Sequence, residues 1–130
     1  MTTHVTPYFA AKGASDAIAF YTKAFAAVER YRIPDGDGQR LGHAEFTIGD
    51  TTLYISDEYP DFNALAHPAS FVIELPDVDA AFQRAVDAGA TVERPLADAP
   101  YGRGGWLRDP FGHRWNVMTP NPDFDPKDMQ

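Results

Sequence analysis

Cysteine is absent from the 130 residues. That excludes disulfides, thiolate metal sites and a cysteine nucleophile. Long hydrophobic runs are missing too, since no apolar stretch approaches the ~20 residues that cross a bilayer. The start, Met1 to Phe9, lacks the basic and apolar regions of a signal peptide. No membrane partner is expected, and the expected location is the cytoplasm. Positive charge is scarce: 11 Lys and Arg stand against 19 Asp and Glu, a net charge of −8. No basic cluster offsets it, so no nucleic-acid partner is expected. A phosphate loop is not credible either. Gly102-Arg103-Gly104-Gly105 is rich in glycine but precedes an expected strand, not a helix N-terminus. No serine lies in a nucleophile-elbow context.

What is present suffices for one small domain with a core, since apolar residues make up 44% of the chain. Residues 4–10 read as a strand. Over residues 15–27 the period changes: Ile18, Tyr21 and Phe25 fall on one helical face, with Ala14, Ala17 and Ala24 beside them. Residues 28–33 read as a strand, followed by turn chemistry at Pro34-Asp35-Gly36-Asp37-Gly38. His43 to Ile48 alternates, with Ala44, Phe46 and Ile48 on one face and His43, Glu45 and Thr47 on the other. A tight Gly49-Asp50 turn leads to a strand over 52–56, and residues 57–68 read as a linker. The order then recurs. A strand over 70–75 precedes a helix capped by Asp77, with Val78, Phe82 and Val86 as its buried stripe and Gly89 at its end. Strands follow over 91–96, 105–109 and 114–119, with a glycine-rich loop over 100–105. The proline-rich tail from Pro120 should hold no regular element.

Asp16-Ala17 and Asp79-Ala80 lie 63 residues apart, as do Gly49 and Gly112, and Val28-Glu29-Arg30 recurs 64 residues on as Val92-Glu93-Arg94. With the repeated element order, this predicts an α+β chain of two βαβββ modules, about 3–57 and about 69–119. They form one domain over 1–120, and 121–130 is an irregular tail.

Phe20-Tyr21, Asp77-Val78-Asp79-Ala80, Ala88-Gly89-Ala90 and above all Asp109-Pro110-Phe111-Gly112-His113 are the residues that carry a family likeness. They resemble the glyoxalase/bleomycin-resistance/dioxygenase, or vicinal-oxygen-chelate, superfamily. Thr6-Pro7-Tyr8, His43-Ala44-Glu45, Ser56-Asp57-Glu58 and Tyr101-Gly102 resemble its PhnB-like branch. The resemblance implies cupped mixed sheets with helices outside, a ligand within and pairing of two chains. A homodimer is therefore expected, which would also protect open sheet edges. The fold hosts isomerases, dioxygenases, transferases and drug-sequestering proteins, so it does not fix the function.

Metal-dependent members hold a divalent ion with His and Glu from the first and last strands of each module. Carried over residue by residue, those positions fall at Thr6, at Leu53 or Tyr54, at Ser70 and at Asn116. None is a histidine or carboxylate, so no metal and no cofactor is expected. Among the histidines, His4 and His67 read as exposed and His113 as part of a structural turn.

Alternation turns His43 and Glu45 away from the apolar face. Glu45 is then either a general base in an apolar cup or half of an ion pair with an arginine such as Arg108. As a buried pair, its loss would cost ~3–5 kcal/mol. The same alternation puts Tyr8, Tyr54, Trp106 and Arg108 with His43 in the lining of a pocket for a planar or partly apolar small molecule, and the resemblance adds Thr6, Ser70 and Asn116. The leading reading is a small-molecule binder without the usual metal. The alternatives are an enzyme, using Glu45 as base or a relocated metal site, and a protein whose filled cup serves protein interaction.

Overall fold

The computed structural model describes residues 1–129. The chain divides into two compact units, one spanning Met1–His67 and one beginning at Pro68. Each holds one four-stranded mixed sheet and one α-helix in the order strand, helix, three strands.

In the first unit β1 (Tyr8–Ala11) leads to α1 (Ala14–Phe25), then β2 (Val28–Pro34), β3 (Leu41–Ile48) and β4 (Thr51–Asp57). The sheet order is β1-β4-β3-β2, with β1 parallel to β4 and the other pairs antiparallel. The apolar stripe of α1 is buried against one face of the sheet: Ala14, Ala17, Ile18, Tyr21, Ala24 and Phe25 meet Phe9, Ala44, Phe46, Leu53 and Ile55. Tyr21 is fully buried and stacks on both Phe46 and Phe25, with ring centroids 5.6 and 6.5 Å away. Each large side chain so buried stabilises the unit by about 1.5–3 kcal/mol.

The start of α1 is fixed from outside the helix. Gly13 takes a left-handed conformation, φ 99°, that glycine alone adopts without strain, and it provides no side chain to cap the helix. The carboxylate of Asp57, at the far end of β4, caps it instead. Its Oδ1 accepts hydrogen bonds from the Gly13 and Ala14 amides at 2.9 and 3.0 Å. Its Oδ2 accepts one from the Leu41 amide, at the start of β3, at 2.7 Å. One buried carboxylate therefore ties the β1–α1 junction, β3 and β4 together, with the negative charge at the positive end of a helix.

The second unit runs β5 (Ser70–Glu74), α2 (Val78–Asp87), β6 (Thr91–Ala99), β7 (Gly102–Arg108) and β8 (Arg114–Pro120), with sheet order β5-β8-β7-β6. Here the helix supplies its own cap, as expected: Asp77 accepts from the Ala80 amide at 3.2 Å. The buried stripe is Val78, Ala81, Phe82 and Ala85, while Val86 is only half-buried. The Asp109–His113 turn is built on another buried carboxylate. Asp109 accepts from the amides of Phe111 and His113, both at 2.9 Å, and from the Trp115 indole at 3.0 Å. The fully buried His113 accepts from the Ala69 amide at 3.0 Å and so ties the turn to the start of β5. The structural role expected of His113 stands.

Four of the departures from expectation have a clear physical reason. β1 begins at Tyr8, not His4: the ladder starts with the Pro7 carbonyl, which accepts from the Tyr54 amide, and Pro7 has no N–H to extend it. The glycine-rich stretch 102–105 is the first half of β7, not a loop. A Cβ at Gly105 would lie 2.8 Å from the Phe82 ring and 2.7 Å from the Arg94 carbonyl, so the glycine lets α2 and β6 close on the strand. The expected linker 57–68 is folded: Asp57 completes β4, and Pro60–Phe62 is a 3₁₀ turn. A second 3₁₀ turn, Pro126–Met129, interrupts the tail, where a proline suits the first position.

The repeat is confirmed at the level of elements, and Gly49 and Gly112 both take positive φ in the turns before β4 and β8, but the other two matches are displaced by one. Ala17, Ile18 and Tyr21 are matched in burial by Ala81, Phe82 and Ala85, at a spacing of 64. In the edge strands the unpaired bulge residues are Arg30 and Glu93, 63 apart.

Replacing Asp57 by Asn should test the cap. An amide offers one acceptor and one donor, so at least one of the three backbone amides would face another N–H. The expected loss is on the order of 3 kcal/mol, read as a fall in melting temperature of roughly 10 °C. An unchanged melting temperature would show that the three bonds do not hold the unit.

Candidate functional site

The face of the first sheet turned away from α1 carries a polar aromatic cluster. Register pairs Tyr8 with Tyr54, Tyr54 with Glu45, Glu45 with Tyr31, and His43 with Ile33, so these side chains share that face. The His43 ring lies at its centre. Its Nδ1 is 2.9 Å from the Tyr8 hydroxyl and its Nε2 is 3.3 Å from that of Tyr31. The Tyr54 ring meets it edge-on at 4.9 Å. A neutral imidazole has one donor and one acceptor nitrogen, so one phenol donates to it and the other accepts. The Tyr31 phenol is held protonated: partial desolvation, the Glu45 carboxylate and the neighbouring Tyr54 and Tyr8 raise its pKa above the ordinary value.

Glu45 lies on this face as expected, but its partner differs. Arg30 Nε, on β2, is 2.9 Å from Glu45 Oε2. Arg108 belongs to the second unit and pairs with Glu93 there. The cause is a bulge: the register skips Arg30 between Glu29 and Tyr31, which re-aims its side chain. The Glu45 side chain is 17% exposed and that of Arg30 61%, so the pair is only partly desolvated.

The cluster borders a groove of about 500 Å³ lined by Tyr8, Ala10, Gly42, Ser56, Tyr59 and Leu65, among others. Its outer wall is the segment expected to be a linker. Tyr59 and Ala64 form an isolated bridge, Asn63 takes the left-handed conformation and Glu58 accepts from the Ala66 amide at 2.8 Å. Tyr59 anchors this wall to the β2–β3 turn. Its hydroxyl donates to Asp35 at 3.0 Å, and the Arg40 guanidinium lies 4.4 Å from its ring centroid. Tyr31 and the 59–65 wall were missed from sequence. The bulge hides the face of Tyr31, and the wall carries no period, although its Pro60, Asn63 and aromatics were available as a signal.

In the second unit Ser70, Trp106, Arg108 and Asn116 share the face away from α2. Ser70 is opposite Arg114, Trp106 opposite Asn116, and Arg108 opposite Arg114. Glu93, the bulge residue of β6, accepts from Arg114 Nε at 2.7 Å and Arg108 Nη2 at 2.7 Å. Those bonds, Arg114 first, hold its carboxyl below the usual carboxylate range. The Arg114 guanidinium lies 4.4 Å from the Trp106 ring centroid. The nine candidate residues thus divide between the units, with Glu45, Tyr8, His43 and Tyr54 on one sheet and Ser70, Trp106, Arg108 and Asn116 on the other. Thr6 precedes β1 and lies outside both sheets.

The residues at the implied metal positions do not fit a divalent transition metal. Thr6 and Ser70 offer neutral hydroxyls, Asn116 an amide and Tyr54 a protonatable phenol. Among the described residues, no group of three or more His, Cys, Asp or Glu could hold such an ion.

Residues 3–117 match the model of the Glyoxalase/Bleomycin resistance protein/Dioxygenase superfamily. The uncharacterized protein Rv0887c of Mycobacterium tuberculosis is 37% identical, over 97% of this chain and 79% of its own length. Among solved structures, TioX of Micromonospora sp. ML1 superposes with a TM-score of 0.76 at 22% identity, covering 92% of this chain and all of that one. The fosfomycin resistance protein FosX of Listeria monocytogenes, solved with Mn(II) and a dihydroxypropylphosphonic acid, gives a TM-score of 0.70 at 18% identity with both chains covered in full. At these identities the structures establish likeness of fold.

Glu45→Gln separates the roles open to that residue. Its partner is well exposed, so the cost of losing a buried pair does not apply, and the expected destabilisation is about 0.2–1 kcal/mol. A shift in melting temperature of a few degrees at most is the expected result. A collapse of the fold would show that the pair is buried more deeply than its geometry indicates.

Proposed function

Because the chain belongs to the Glyoxalase/Bleomycin resistance protein/Dioxygenase superfamily, we propose that it binds a small, planar organic molecule on the first unit's sheet, without the superfamily's divalent metal. The observation that carries this reading is the His43 cluster beside the groove. Aromatic edges from Tyr8 and Tyr54 offer apolar contact, while the imidazole and two phenols offer a hydrogen-bonding rim. A mostly apolar concavity with a few convergent polar groups is the usual form of a small-molecule site. The donor set at Thr6, Tyr54, Ser70 and Asn116 supports a metal-free mode, since none of these groups is a strong transition-metal ligand.

The role of general base at Glu45 is the weaker reading. Its Oε2 faces the Arg30 guanidinium, a group that does not give up its proton. If the site handles protons, His43 is better placed, since both ring nitrogens already face hydroxyls.

The finer placement in the PhnB-like branch, the single domain over 1–120, the cytoplasmic location and the homodimer belong to the same proposal. No helix among the described residues is long and apolar enough to cross a membrane. Val28, Tyr31 and Ile33 of the edge strand β2 are exposed, which supports pairing with a second chain. Light scattering at micromolar concentration should give twice the chain mass, and a monomer would refute the dimer.

A screen of planar heteroaromatic fragments by amide chemical shifts tests the binding reading. Hits should perturb Tyr8, Gly42, His43, Tyr54 and Ser56, persist in excess chelator, and weaken about tenfold in His43→Ala through loss of hydrogen bonds at the rim. Metal analysis of the same sample should find far less than about one equivalent of zinc, iron, nickel or manganese. Hits that avoid this face, or that vanish with chelator, would overturn the proposal.

A further inference from the structure

The second unit holds an arginine that is fixed in place but not used up. Arg114 is oriented from two sides. Its Nε donates to Glu93 Oε1 at 2.7 Å, and its guanidinium plane sits 4.4 Å from the Trp106 ring centroid. Its two terminal nitrogens make no hydrogen bond among the described residues. The neighbouring Arg108 is different: Nε and Nη2 donate to Glu93 and Nη1 to the Gly112 carbonyl, so its fork is engaged.

The charge on this face also runs against the rest of the chain. The whole sequence carries −8. Here Arg108 and Arg114 flank the single carboxylate of Glu93, and Arg94 stands opposite Trp106 in register. The nearest carboxylate, Glu93, thus lies between two guanidiniums, with Arg94 elsewhere on the same face and Glu74 further along it opposite Met118. Beside Arg114 are two neutral hydrogen-bonding groups, Ser70 opposite it and Asn116 two residues on. The exposed Val72 and the half-buried Met118 and Trp106 supply apolar surface.

We propose that this face is a carboxylate-recognition site for a small aromatic acid, with Arg114 as its anion-binding residue. The planar fork of a guanidinium matches the two oxygens of a carboxylate, and a fork already held by a carboxylate and an indole loses little freedom when it binds. The aromatic body of the ligand lies against Trp106, Val72 and Met118. Glu93 is the positioning residue: it spends its charge on holding Arg114 and Arg108 in place and leaves a positive excess. The inference rests on the second unit alone and holds or fails independently of the His43 cluster.

The probes are sodium benzoate, benzyl alcohol and inorganic phosphate, titrated into the whole protein and followed at the Trp106 indole N–H and the Arg114 Nε–H by NMR. Benzoate should perturb both signals and bind at least about tenfold more tightly than benzyl alcohol or phosphate. Arg114→Lys keeps the charge but removes the planar fork, and should weaken benzoate about tenfold with the remaining amide spectrum unchanged. The wild-type comparison needs no variant, so it stands if the variant fails to fold. Equal binding of benzoate and benzyl alcohol would overturn the proposal, as would phosphate binding as well as benzoate. Unchanged benzoate affinity in Arg114→Lys, or no response at Trp106, would do the same.

Discussion

The first unit depends on where the Asp57 carboxylate sits. Three backbone amides, of Gly13, Ala14 and Leu41, would otherwise have to find water or stay unpaired in a buried corner. By accepting all three, Asp57 sets the angle at which α1 leaves β1 and the point at which β3 begins. β3 carries His43 and Glu45, and β1 carries Tyr8. The hydrogen bond between Tyr8 and His43, 35 residues apart in sequence, therefore forms on a frame that this carboxylate aligns. The second unit uses Asp109 in a comparable way, at the β7–β8 turn and not at a helix start.

Edge-strand bulges then decide what each open face displays. In β2 the bulge turns Arg30 onto Glu45, and in β6 it turns Glu93 onto Arg108 and Arg114. The two modules thus place opposite charges at matching points. The first face keeps one carboxylate held by an exposed arginine and is otherwise aromatic. The second keeps one carboxylate between two arginines and is left with positive charge. A duplicated fold has in this way acquired two chemically different faces through single residues at the same structural irregularity.

Much of this was legible in the sequence, because it rests on period and on turn residues. The apolar stripe of Ile18, Tyr21 and Phe25, the alternation of β3 and the Asp77 cap follow from spacing, and the structural His113 from the family likeness of its turn. Alternation also placed Tyr8, His43, Glu45 and Tyr54 on one face and Trp106, Arg108 and Asn116 on one face, as the register has them. The rest depends on contacts between distant residues. Nothing local marks Asp57 as the cap of a helix more than 40 residues earlier. A bulge shifts register by one residue without leaving a pattern, so Arg30 and not Arg108 is the partner of Glu45, and Tyr31 went unnoticed. The glycines of β7 read as a loop because a close approach of backbone and ring looks the same in sequence as a flexible turn.

The central claim is that His43 is held between two phenols on a preformed face. The most direct measurement is a long-range proton–nitrogen correlation of the His43 imidazole at a pH where the ring is neutral. A hydroxyl at each nitrogen makes one nitrogen donate and the other accept, and the fixed face around the ring favours one of the two assignments. The account predicts two well-separated nitrogen shifts, one protonated and one not, that move toward each other in Tyr8→Phe. Averaged shifts typical of a solvent-exposed histidine, unchanged in that variant, would contradict it.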